Sequence, residues 1–206
     1  MKKMFLSSSF SDVAKLLPDF VGESLIGKTV TFIPTAANVE KINFYVKSGK
    51  KALEKMGLIV DELDVSVSTK KEIEGKLKKN DYIYISGGNT FFLLQELQKK
   101  DVIKLFAEQI ESGKLYIGES AGSMIIAPNV EYVQAMDSIK AAPELHSFEA
   151  LNVVDFYPVP HHTNFPFKKA VEKIISKYDC QISLKVISNA QVILVEGDKI
   201  QIVAKA

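Results

Sequence analysis

Through the first 125 residues, apolar runs of strand length alternate with longer segments of helical period. Thr29–Pro34, Leu58–Leu63, Asp81–Ser86 and Leu115–Gly118 are the short runs, each fit for a buried strand. Between them, Val39–Lys55 carries Ile42, Val46 and Leu53 among lysines, and Thr90–Lys99 and Val102–Glu111 read as two further helices. Strands that alternate with helices form βαβ units, and these build a mostly parallel sheet covered on both faces. The expected fold is therefore α/β, with three layers (α/β/α) over residues 1–206 as a single domain. After residue 125 the texture changes. Val130–Gln134 and Val153–Pro160 look extended, and Gln191–Glu196 and Lys199–Val203 flank Gly197-Asp198, the signal for a small C-terminal β-hairpin.

Composition narrows the function classes. A net charge of +1 gives no nucleic-acid signal, and no run approaches the length of a membrane span. The opening Met1-Lys-Lys-Met-Phe-Leu6 is basic then apolar like a leader, but stops at Ser7-Ser8-Ser9, far short of a signal core. With one cysteine, Cys180, no intramolecular disulfide forms, and the expected compartment is the cytoplasm. That thiol, between Asp179 and Gln181, reads as a bystander. All 26 basic residues are lysine. A substrate carboxylate must then be held without the bidentate guanidinium fork.

Gly118-Glu119-Ser120-Ala121-Gly122 stands between the strand ending at Gly118 and a segment, Ala121–Ala127, that reads as the start of a helix. This is G-x-S-x-G in the strand–turn–helix setting of a nucleophile elbow. The serine sits on a strained turn, so its neighbours at plus and minus two must be glycine to avoid collision. The N–H of Ala121 then becomes a donor for an oxyanion. The bland alternative is a Gly-rich connection with a serine N-cap. A second loop, Ser86-Gly87-Gly88-Asn89-Thr90, also follows a strand and opens a helix. Ligands of open α/β sheets bind beyond the carboxyl ends of the strands, so both loops face one crevice. Gly88, with Asn89, is the candidate second oxyanion donor, while Asn89 or Thr90 can equally cap the helix.

A serine needs a base, and histidine suits neutral pH. His146 lies in a polar loop and reads as a surface residue. His161 and His162 end the run Phe156–Pro160, where a catalytic loop belongs. Taken together, Ser86–Thr90, Tyr116–Gly122 and Pro160-His161 resemble the peptidase E (aspartyl dipeptidase) family of serine peptidases, to which cyanophycinases are related. The resemblance runs from about Phe32–Ala36 to Val195–Asp198. It implies a fold similar to class I glutamine amidotransferases, with serine where those carry cysteine, and a homodimer. It also implies Ser120 as nucleophile and His161 as base, His162 falling on a position often aromatic in the family.

Two positions depart from the family pattern. Where the family has a glutamate shortly before the C-terminal hairpin, this chain has Asn189. An asparagine orients an imidazole by accepting its N–H but does not neutralise the imidazolium. Asp137, matching a family aspartate between elbow and histidine, is the alternative acid. The family's arginine-bearing segment after the histidine reads here Thr163-Asn-Phe-Pro-Phe-Lys-Lys-Ala170. Lys168 and Lys169 look like solvated helix-start residues, and this argues against strict specificity for Asp-X peptides. Glu119 is a candidate for a substrate amino group or for an ion pair with a lysine, and Glu196 for an exposed hairpin position.

The leading expectation is a serine dipeptidase or exopeptidase acting on small peptides, with no metal or cofactor. An esterase or amidase on the same site, or a binding protein that has lost catalysis through Asn189, are the alternatives.

Overall fold

The computed structural model describes residues 1–205. Among the described residues nine strands form: β1 (Lys3–Ser7), β2 (Thr29–Ile33), β3 (Ile59–Glu62), β4 (Tyr82–Ile85), β5 (Leu115–Glu119), β6 (Tyr157–Val159), β7 (Leu184–Val186), β8 (Gln191–Glu196) and β9 (Lys199–Ala204). The helices are α1 (Phe10–Val13), α2 (Leu17–Val21), α3 (Phe44–Lys55), α4 (Lys70–Lys79), α5 (Thr90–Lys99), α6 (Ile103–Glu111), α7 (Ala121–Met124) and α8 (Lys168–Tyr178). Seven strands make the main sheet in the order β3-β2-β4-β5-β1-β8-β9. The first five of these run parallel, and β8 and β9 close one edge antiparallel. This is the α/β, mostly parallel architecture the sequence pattern implies.

Burial on both faces explains why the strands read as unbroken apolar runs. Successive residues alternate between two cores. Met4, Leu6, Ile33, Ile83, Ile85 and Tyr116 enter the larger one with α4–α8. Phe5, Val30, Phe32, Tyr82, Tyr84 and Ile117 enter the smaller one with α1–α3. Capping fixes the helix starts: Thr69 and Glu72 form a reciprocal capping box on α4, and the Asn89 side chain accepts the N–H of Phe92 on α5.

Several expectations are corrected. The opening segment, not among the expected strands, is the interior strand β1, between β5 and β8. The expected hairpin forms as β8 and β9, and β8 pairs with β1, so the hairpin extends the main sheet. Val130–Gln134 is not extended: Glu131–Ala135 is a 3₁₀ turn whose Tyr132 and Val133 are buried. Five residues are too few for the spacing of apolar positions to distinguish a strand from a tight helix. Of Val153–Pro160, only β6 is a strand, paired in parallel with β7 outside the main sheet. Helix α3 starts at Phe44, five residues later than its apolar pattern suggests, and the segment expected to be helical over Ala121–Ala127 leaves helix geometry after Met124. Among the described residues, no helix is long and apolar enough to cross a membrane.

Candidate active site

Strand β5 runs to Glu119 and α7 begins at Ala121, leaving Ser120 as the single residue that turns the chain. It does so at φ 49°, ψ −105°, a conformation that costs a non-glycine residue roughly 1–3 kcal/mol. The turn is held from both sides. The Ser120 N–H donates to the Ser7 carbonyl at 2.9 Å, and the Ser120 carbonyl accepts from Ser123 N at 2.8 Å. A Cβ on Gly118 would lie 2.6 Å from the Gly122 carbonyl oxygen, and one on Gly122 would lie 2.1 Å from that of Ile85. Glycine at plus and minus two is thus a packing requirement. Helix α7 is one turn long, so any anion stabilisation here comes from individual N–H groups and not from an extended helix dipole.

The Ser86–Thr90 loop lies against the nucleophile, with the position of a Cβ on Gly87 only 3.3 Å from Ser120 Cβ. Gly88 has φ 137°, and a Cβ there would sit 2.2 Å from the Ala36 carbonyl. The loop is tied by the Asn89 N–H to that carbonyl at 2.8 Å. Among the described residues, the N–H groups of Gly88 and Ala121 meet no acceptor. Both donors expected from the sequence are thus left free.

His161 Nε2 is 2.9 Å from Ser120 Oγ, and its Nδ1 is 2.9 Å from Asn189 Oδ1. Because Asn189 Oδ1 only accepts, Nδ1 carries the proton and Nε2 is left to accept from the serine. The imidazole stacks on Phe167, with ring centroids 4.6 Å apart and planes at 25°. Burial holds the His161 pKa below its ordinary 6.5, with the Asn189 hydrogen bond opposing that shift. The histidine backbone has φ 65°, and its carbonyl accepts from Asn164 N at 3.0 Å. The Asn164 side chain in turn accepts the N–H of Asn189 at 2.9 Å.

The other candidates lie elsewhere. His162 is engaged through its backbone N–H with the Ile187 carbonyl, and His146 is exposed. Asp137 accepts from Thr90 N at 2.8 Å, which places its carboxylate on the glycine loop and not on the imidazole. Burial raises its pKa from 3.8 to about 6, with the Thr90 hydrogen bonds opposing. The protonated carboxyl is therefore the form that favours folding. Its contribution is full below about 4 and is lost as pH rises through about 6. Asp137→Asn is expected to raise the melting temperature above pH 6 and to lose that advantage near pH 4, read by thermal denaturation at the two pH values.

Asn89 is spent on structure: it caps α5, and its Nδ2 donates to the Ser138 carbonyl at 3.0 Å. Glu119 is buried and takes up neither expected role. Its Oε1 accepts from Phe10 N at 2.9 Å and its Oε2 from the Tyr84 hydroxyl at 2.7 Å, and among the described residues no lysine forms an ion pair with it. Desolvation raises its pKa, and these hydrogen bonds work against that. Lys168 and Lys169 are exposed at the start of α8, Cys180 is exposed, and Glu196 is exposed on the hairpin, 3.7 Å from Lys3. Among the described residues, no group of three or more His, Cys, Asp or Glu side chains is arranged to hold a metal.

Three contributors escaped the sequence reading. Ser7 ends β1, a strand that was not expected at all. Phe167 lies in the stretch read only for its lysines. Tyr45 packs about 3.4 Å from the position of a Gly87 Cβ, and burial and the charges of Glu40, Glu119 and Asp137 push its hydroxyl pKa up. Tyr45 lies next to the start of α3, and the periodicity of that helix does not single it out.

A family model described as peptidase family S51 matches residues 4–203. The uncharacterized peptidase Lmo0363 of Listeria monocytogenes serovar 1/2a is 52% identical over 200 residues, covering 97% of each chain. The uncharacterized peptidase PM1590 of Pasteurella multocida is 53% identical over 198 residues, 96% of this chain and 95% of that one. Peptidase E of Shewanella sp. (strain ANA-3) is 36% identical over 134 residues, 65% of this chain and 53% of its own length. A crystal structure of a Listeria monocytogenes EGD-e protein, provisionally named a peptidase E, superimposes with a TM-score of 0.95 at 51% identity over the whole of both chains.

Proposed function

This chain belongs to peptidase family S51 and is a peptidase, and on that premise we propose a serine-type enzyme that hydrolyses short peptides, as a dipeptidase or exopeptidase. The observation that carries this reading is the unbroken chain Ser120 Oγ–His161 Nε2, His161 Nδ1–Asn189 Oδ1, with both steps at 2.9 Å. In the proposed mechanism, Nε2 takes the hydroxyl proton as Ser120 Oγ attacks the scissile carbonyl carbon. The N–H groups of Gly88 and Ala121 receive the developing oxyanion. The imidazolium then gives its proton to the leaving amine, and water hydrolyses the acyl-enzyme by the same path in reverse. With no arginine in the chain, a substrate side-chain carboxylate has no guanidinium to hold it, so strict Asp-X specificity is not part of the proposal. The single cysteine fits a cytoplasmic setting, and the family resemblance implies a homodimer, which sedimentation would read as twice the monomer mass.

The test is a library of short peptides, with new amino termini read by mass spectrometry. The wild-type protein is expected to cleave members of it, and cleavage of none would remove the reading. The base predicts a pH dependence as well. The imidazole must be neutral to accept a proton, and burial lowers its pKa, so the acid limb of kcat/KM should have its midpoint below 6.5. Asn189→Asp places a carboxylate on Nδ1–H and stabilises the imidazolium. That midpoint is expected to rise by about one unit or more.

A further inference from the structure

We propose that Ser8 is a positioning residue for the catalytic base, and that its hydroxyl fixes His161 and Asn189 in register with the nucleophile; this rests on the Ser120–His161 reading above. Ser8 is 1% exposed, directly after β1, and the mechanism makes no use of it. Its Oγ accepts the backbone N–H of His161 at 3.0 Å. The single hydroxyl proton is shared between the carbonyls of Ile187 at 3.2 Å and Ser188 at 3.1 Å. One oxygen thus joins the loop that carries the base to the loop that carries its orienting partner.

The bonds act on peptide planes and not on side chains. The Ser188 carbonyl belongs to the same peptide unit as the Asn189 N–H. That unit is gripped at one end by Ser8 and at the other by Asn164 Oδ1. The N–H side of His161, a non-glycine residue at φ 65°, is gripped by Ser8 in the same way, and its carbonyl by Asn164 N. Left-handed backbone persists only where the surroundings over-determine it, and here Ser8 is one of the two groups that do so. The preceding residue completes the arrangement. The Ser7 carbonyl accepts from Ser120 N and from Ser123 Oγ, so consecutive residues at the end of one central strand hold the nucleophile and the base. A shift of about 1 Å between reacting groups costs on the order of 100-fold in rate.

Ser8→Ala removes the oxygen without adding bulk, and Ser8→Thr restores it. Ser9→Ala is the control, since the Ser9 side chain makes no capping bond. The measurements are the rate of labelling by a fluorophosphonate across pH, the His161 titration by NMR, and the melting temperature. Ser8→Ala is expected to slow labelling by about 10- to 100-fold at saturating probe, with the half-saturating concentration unchanged within about twofold. Its imidazole pKa is expected to rise toward 6.5 as the ring leaves its buried site, while Ser8→Thr recovers most of the rate and Ser9→Ala matches wild type. The proposal is overturned by a Ser8→Ala protein that labels within about twofold of wild type with an unmoved titration. It is equally overturned if the rate falls only in proportion to melting temperature while the titration stays in place. Absence of labelling in the wild type would sink the serine-peptidase reading itself. The NMR titration needs no reaction, and it reads the effect of Ser8 on the imidazole in either case.

Discussion

Ser120→Ala is expected to lower kcat for short-peptide hydrolysis by about 10⁴- to 10⁶-fold while leaving the fold intact. The size of the effect follows from the arrangement around Oγ. Among the described residues it is the one hydrogen-bond partner of His161 Nε2, so without it the proposed base has no nucleophile to activate. The free N–H groups of Gly88 and Ala121 remain as the proposed oxyanion donors, so a residual rate above that in water should survive. Alanine also relieves nothing in the strained turn, since φ 49° is set by the backbone bonds to Ser7 and from Ser123. Melting temperature should therefore change little. A loss of activity that tracked a loss of fold would point to the wrong cause, and circular dichroism on the same sample separates the two.

Gly88→Ala is the second large effect, and it differs in kind. A methyl group at Gly88 would lie 2.2 Å from both the carbonyl carbon and oxygen of Ala36, which are backbone atoms without freedom to turn away. The residue also sits at φ 137°, where a side chain is strained whatever the space. The loop must move, and the Gly88 N–H moves with it. Loss of one oxyanion donor is expected to cost about 10²- to 10³-fold in kcat. The displaced loop should also lower stability, by roughly 1–3 kcal/mol. Kinetics alone with no change in denaturation midpoint would show that the loop gave way without strain, contrary to the contacts described above.

Much of this site was legible because its chemistry is local. The elbow is a pattern within five residues, and the Gly118 collision with the Gly122 carbonyl lies inside it, while Gly122 itself is pressed by the Ile85 carbonyl at the end of β4. The Gly87-Gly88 turn is readable in the same way. The interior strands β2, β4 and β5 announced themselves as continuous apolar runs since both their faces are buried. What the sequence hid is non-local. β1, five residues near a terminus, carries too little pattern to be read as a strand, yet its last residue accepts the nucleophile's N–H. The partner of the imidazole lies 28 residues beyond it on another loop. The family resemblance points to Asn189 as the orienting residue, with Asp137 as the alternative acid. Only the fold places one oxygen 2.9 Å from Nδ1 and spends the other carboxylate on Thr90 N. Glu119 misled for a related reason: a glutamate beside a nucleophile suggests a ligand contact, but alternation along β5 turns it into the core. There it ties Phe10 and Tyr84 together.

The account turns on a serine made nucleophilic by His161, and covalent capture measures that directly. Wild-type protein treated with a fluorophosphonate and digested should carry its adduct on the peptide containing Ser120, and His161→Ala should slow its formation by orders of magnitude. An adduct on another residue, or labelling of Ser120 that is indifferent to His161, would contradict it.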